Sequence, residues 1–222
     1  MLPGLNGTAS LLEDVGNRLA KRRPTTIIAY PTDQRLGYDA LVEFVRKRLP
    51  TGRFVVLGES FSGPIAIELA ASMPERVAGL VLAVTFVRNP LPMGAGLARF
   101  WLSLHLPRPR WAMAGVLMGR GATPQLERAL DETLATVSAD VVSSRVGEAT
   151  RVDKRASLRR VVCPVLYLKG KQDWLLGDAP MHEIIRTTQR CEVREIDGPH
   201  MLLATHYAEA ADAIEAFCAT LP

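Results

Sequence analysis

Cysteine is scarce in this chain. Cys163, Cys191 and Cys218 make an odd number, each in an apolar or helical context. That argues against a disulfide framework and a cysteine-based metal site, and for buried thiols in a reducing compartment. No run of about 18 uninterrupted apolar residues occurs, so no membrane span is expected. No basic segment followed by an apolar run opens the chain, which places the protein in the cytoplasm rather than on a secretory route. Charge of one sign is only mildly in excess: 27 Lys and Arg against 23 Asp and Glu, a net +4. The arginines are scattered rather than clustered, so no nucleic-acid partner is expected. Internal repeats and low-complexity tracts are also missing. Histidine is rare, with four residues, and this narrows the choice of any general base.

What the chain does contain is apolar bulk. It has 222 residues, 48% of them hydrophobic, enough for one domain with a substantial core. Val55-Val56-Leu57-Gly58-Glu59-Ser60-Phe61-Ser62-Gly63-Pro64-Ile65-Ala66 organises the rest. An apolar strand ends at Gly58, a serine follows two residues on, and a helical pattern begins at Ile65. Strand and helix backbones nearly collide in such a turn, so only small side chains fit two before and two after the serine. Gly58 and Ser62 meet that demand. Pro64 falls in the first helical turn, where a missing N–H costs nothing.

Strands and helices alternate around this stretch. The spacing predicts helices over 10–21, 38–49 and 202–220 and strands over 25–30, 54–57, 77–86, 161–168 and 192–196. A mostly parallel sheet with helices on both faces follows. The rhythm breaks between 88 and 160, where no strand pattern occurs and a long helix is expected over 125–141, followed by a charged helical stretch to 158.

The elbow pattern resembles that of the α/β-hydrolase superfamily, Gly-x-Ser-x-Gly, with Ser62 standing where glycine is usual and Gly63 one later. The resemblance implies an α/β-hydrolase fold, N-terminally shortened, with a core of residues 1–87 and 161–222 and a helical cap insertion at 88–160. It implies a chain order of serine, acid, histidine, which here is Ser60, Asp173, His200, each just past the end of an expected strand. It implies that Pro3-Gly4-Leu5 is the oxyanion loop, with the backbone N–H groups of Leu5 and Phe61 as donors. It places the cap over the serine, with Phe86, Trp101, Trp111 and Met113 as the apolar candidates for a substrate pocket.

A serine hydroxyl needs a base to take its proton, and the base needs an anion to fix its tautomer. No metal or organic cofactor enters that chemistry. His105, His182 and His206 follow no strand, Asp178 lies deeper in its loop, and Asp197 is too close to His200 along the chain. Glu59 reads as a packing or ion-pairing residue. The expected function is cleavage of a small-molecule carboxylic ester through an acyl-enzyme. Thioester cleavage, acyl transfer, or a ligand-binding protein that kept the fold remain as alternatives. The segment 97–118 has the Trp, Met and Arg content of a membrane-surface helix as a further alternative to a cap. Oligomeric state is open.

Overall fold

A computed structural model describes residues 1–90 and 115–221. Among them, four strands, β1 (Phe54–Glu59), β2 (Val77–Ala83), β3 (Val165–Gly170) and β4 (Cys191–Ile196), form one parallel sheet in the order of the chain. Successive side chains on a strand point to opposite faces. Val56, Leu80, Leu82, Val165 and Tyr167 face one side, and Leu57, Val81, Ala83, Leu166 and Leu168 the other. Both faces are apolar because both are covered, as a parallel sheet requires.

The first face is covered by α2 (Tyr38–Arg46), α3 (Gly63–Ser72) and α7 (Ala179–Thr187), which supply Leu41, Val45, Ile65, Leu69 and Ile184. The second is covered by α1 (Glu13–Ala20) and α9 (Tyr207–Ala219), through Val15, Leu19, Ile214 and Phe217. β4 is the edge strand, as its polar alternation suggested.

The 25–30 stretch is extended but is not a regular strand. Leu2 bridges to Gly58 of β1, and on the other side Met1 accepts a hydrogen bond from the Ile28 N–H at 3.0 Å. The β-branched residues favour an extended backbone, but the pairing stops at single hydrogen bonds and no ladder forms.

Between β2 and β3 the chain leaves the sheet. The described part of this insertion is helical: residues 115–118, α4 (Pro124–Ala135), α5 (Ala139–Ala149) and α6 (Arg155–Leu158). Its two ends meet, with the Asn89 N–H on the Val152 carbonyl at 2.9 Å and the Lys154 N–H on the Val87 carbonyl at 2.8 Å. The helix expected over 125–141 is broken at 136–138. There the Ser138 hydroxyl accepts from the Val141 N–H at 3.3 Å and starts α5. The apolar spacing runs through the break because Val137 within it and Val141 beyond it are both buried. The last helix also starts late, since the chain first forms the short α8 (Leu202–Thr205) and then turns at His206 before α9. No helix among the described residues is long and apolar enough to cross a membrane.

Candidate active site

β1 ends at Glu59, and Ser60 turns the chain with φ +48°. Left-handed backbone in a non-glycine residue costs about 1–3 kcal/mol and persists only where the surroundings enforce it. Here they do. A Cβ on Gly58 would lie 2.6 Å from the Ser62 carbonyl oxygen and 2.8 Å from the Ala66 Cβ, so the strand can approach the helix only as glycine. The Thr85 hydroxyl donates to the Ser60 carbonyl from the end of the neighbouring strand. Beside it, Val84 also has positive φ, +43°, although it is β-branched and fully buried. The two strained residues follow paired positions, Glu59 and Ala83, in adjacent strands.

The strained turn aims the Ser60 Oγ at the His200 Nε2, 2.9 Å away. The His200 Nδ1 lies 3.0 Å from the Asp173 Oδ2. Asp173 can only accept, so Nδ1 carries the proton and Nε2 is left to accept from the serine. Asp173 is itself fixed, its Oδ1 accepting from the Leu175 and Leu176 N–H groups at 3.1 Å each. Burial works to raise the Asp173 pKa, but the His200 hydrogen bond and charge overcome it and hold the carboxyl below its ordinary 3.8. His200 and Asp173 are both buried. Residues 115–121 pack on the histidine loop: the Met201 N–H donates to the Leu117 carbonyl at 2.8 Å, and Met118, Leu11, Leu130 and Met201 share a small apolar cluster.

The Pro3–Gly7 loop lies against the serine, and a Cβ on Gly4 would be 3.7 Å from the Ser60 Cβ. Ser62 departs from the glycine of the usual pattern, and its buried hydroxyl has a use. It donates to the Pro3 carbonyl, so the Tyr30 hydroxyl must donate to Ser62. The Gly4 N–H donates to the Glu59 Oε2 at 3.2 Å. Burial pushes Glu59 up to about 7, with the His200 charge and the Gly4 N–H drawing it partly back. Glu59 is therefore a loop-holding carboxyl beside the histidine rather than an ion-pairing one. Among the described residues, the Leu5 N–H donates to no backbone carbonyl.

Of the other candidates, Phe86 is buried in the main core. Trp101, Trp111, Met113 and His105 lie outside the described residues, as does most of 97–118. Asp178 lies 3.2 Å from the Lys169 Nζ, and Asp197 accepts from the Gln172 side chain. The His206 Nδ1 meets the Thr205 hydroxyl. Among the described residues, no group of three or more His, Cys, Asp or Glu is arranged to hold a metal ion. Sequence reasoning passed over Tyr30, Thr85 and Arg145. None carries a local signal, because each acts on a partner far away in the chain: Tyr30 on the Ser62 hydroxyl, Thr85 and Arg145 on backbone carbonyls.

The sequence profile of the alpha/beta hydrolase family matches residues 2–213. The chain is 28% identical over 185 residues to the pimeloyl-[acyl-carrier protein] methyl ester esterase of Xanthomonas campestris, covering 76% of this chain and 72% of that one. It is 26% identical over 198 residues to the biotin biosynthesis bifunctional protein BioHC of Cellvibrio japonicus, covering 84% of this chain but only 38% of that protein. Among solved structures, an esterase from Exiguobacterium antarcticum superposes with a TM-score of 0.86 at 14% identity, covering 99% of this chain and 91% of the other.

Proposed function

Because the chain belongs to the alpha/beta hydrolase family, we propose that it is a serine hydrolase that cleaves a carboxylic ester through an acyl-enzyme. The observation that carries this reading is the unbroken line of hydrogen bonds from Ser60 through His200 to Asp173, at 2.9 and 3.0 Å. The methyl ester esterase activity of the Xanthomonas relative supports the ester as the bond attacked.

In this mechanism the Ser60 Oγ attacks the ester carbonyl carbon while the His200 Nε2 takes its proton. Asp173 holds the imidazole in the required tautomer and steadies the imidazolium. The carbonyl oxygen becomes an oxyanion, received by the Leu5 and Phe61 N–H groups. Removing one such donor typically costs about 2.7–4 kcal/mol in catalysis. His200 then gives its proton to the departing alkoxide, leaving an acyl-Ser60 and a free alcohol. Water attacks the acyl carbon with His200 again as base, releasing the acid and restoring the serine. The helical insertion at 88–160 covers the serine as a cap and shapes the substrate pocket.

Ser60→Ala tests the reading. The variant is expected to stay folded, to lose hydrolysis of p-nitrophenyl acetate, and to resist labelling by a fluorophosphonate that labels the wild type. Full turnover by the folded variant would refute the assignment of the nucleophile. A wild type that neither hydrolyses nor labels would favour a ligand-binding role. Comparing oxygen ester with thioester substrates, and adding alcohol acceptors, measures which acyl transfer the same residues prefer.

A further inference from the structure

Arg145 is a cation in an unusual place. It sits on α5 of the insertion, yet it is only 1% exposed. Arginine is almost never so buried unless paired, and among the described residues its partners are carbonyls rather than carboxylates. Its Nη1 donates to the Leu5 and Asn6 oxygens at 2.9 and 2.8 Å, and its Nη2 to the Pro31 oxygen at 2.8 Å. Burial lowers its pKa, with only the Tyr30 phenol opposing. A buried charge without a counter-ion is costly, which directs attention to the groups it bonds.

What it holds is the loop beside Ser60. Gly4 to Gly7 form a turn closed by the Gly7 N–H on the Gly4 carbonyl at 3.0 Å. The C=O and N–H of one trans peptide point in opposite directions. With the Gly4 oxygen engaged inside the turn, the N–H of that same peptide, which belongs to Leu5, is directed out of it. Gly7 has φ +74°, and a Cβ there would collide with the Arg145 guanidinium, so the turn is built around the cation. The first half of the loop is fastened by the elbow itself, through Ser62 on Pro3 and Glu59 on Gly4. In the second half, the side-chain bonds to the Leu5 and Asn6 carbonyls come from Arg145.

We propose that Arg145 is a positioning residue for the oxyanion-binding backbone: its guanidinium, delivered by the insertion, fixes the turn that carries the Leu5 N–H. The proposal rests on the acyl-enzyme reading above. It makes the inserted helices part of the catalytic geometry as well as its cover. A misplacement of about 1 Å in such a donor costs on the order of a hundredfold in rate. Lysine cannot replace it, because an ammonium is a point charge and the three carbonyls are met by a planar fork.

The experiment compares the wild type, Arg145→Lys and Gly7→Ala. It measures kcat and KM on p-nitrophenyl acetate, and inhibition by a trifluoromethyl ketone and by the alcohol of the same shape. The ketone forms an oxyanion on Ser60 and the alcohol does not. In Arg145→Lys, kcat is expected to fall about 10- to 100-fold with KM little changed. The ketone Ki should rise by a similar factor while the alcohol Ki stays within about twofold. A loss of packing alone would lower thermal stability without moving the ratio of the two inhibitors in folded protein. Should Arg145→Lys fail to fold, Gly7→Ala is read instead: its Cβ meets the guanidinium and its φ of +74° strains the turn, so the same ketone-specific weakening is expected if that turn carries the oxyanion donor. An active wild type whose ketone-to-alcohol ratio survives in the folded variant overturns the positioning role alone. A wild type that shows neither turnover nor fluorophosphonate labelling overturns the acyl-enzyme reading, and this proposal with it.

Discussion

Glu59 shows how one side chain can serve the loop and burden the fold. Its carboxyl anchors the Gly4 N–H beside Ser60, but burial raises its pKa from 4.5 to about 7. Between those values the folded protein keeps a proton that the unfolded chain has lost. The stability this group allows is therefore complete below pH 4.5 and declines as the pH rises to about 7. Glu59→Gln keeps an oxygen for the Gly4 N–H and removes the titration. The variant is expected to gain up to roughly 3 kcal/mol over the wild type near pH 8, relative to their difference near pH 4. Urea unfolding at the two pH values measures it, and an equal difference at both would discard the idea. The proximity of Ser60, His200 and Asp173 was legible in the sequence because each follows a strand and stands in a short loop. Arg145 was not. On an amphipathic helix an arginine reads as a solvent-facing residue, and only its three carbonyl partners, more than a hundred residues away in the chain, reveal otherwise.

Elements divide in the same way. The strands and α3 were legible because apolar periodicity and the small residues of the elbow are contiguous in the chain. The boundary between α4 and α5 was hidden by Val137 and Val141, which keep the helical spacing across a real break. The break is held by the Ser138 hydroxyl on the Val141 N–H. Losing such a cap typically costs about 1 kcal/mol. Ser138→Ala should therefore lower stability by about that amount, read as a shift in the urea midpoint with an unchanged slope. An unaltered midpoint would mean that the break is set by the packing of Val137 and by the Ser138 N–H on the Thr32 carbonyl at 3.1 Å. The 25–30 stretch gives the opposite lesson. Its residues favour a strand, but strand character is completed only by a partner's ladder, and here the pairing amounts to the Ile28 N–H on the Met1 carbonyl and the Met1 amine on the Thr26 carbonyl.

Over the whole molecule, the insertion is tied to the core at more than one point. Where it returns to the sheet, Glu68 of α3 gathers the Ser157 hydroxyl at 2.7 Å, the Lys154 Nζ at 3.2 Å and the Arg160 Nη2 at 3.6 Å. Burial opposes the charge on Glu68, yet these partners prevail and its pKa falls below 4.5. Glu68→Ala leaves the buried Ser157 hydroxyl without its acceptor, while Lys154 keeps Asp39 at 3.1 Å, and should cost about 1–3 kcal/mol. Thermal unfolding read at 280 nm checks it, and a change below about 0.5 kcal/mol, the size usual for surface substitutions, would place the network among those surface ion pairs that contribute nothing measurable.

The meeting of the two ends of the insertion, at Val87 with Lys154 and Asn89 with Val152, makes the intervening chain an exchangeable cassette. On the proposed reading, in which the insertion shapes the substrate pocket, exchanging it would trade one substrate preference for another while the strands on either side keep their register. On that same reading, a donor cassette that closes the same doorway but brings no guanidinium to the Leu5 and Asn6 carbonyls would leave the turn beside Ser60 unclasped.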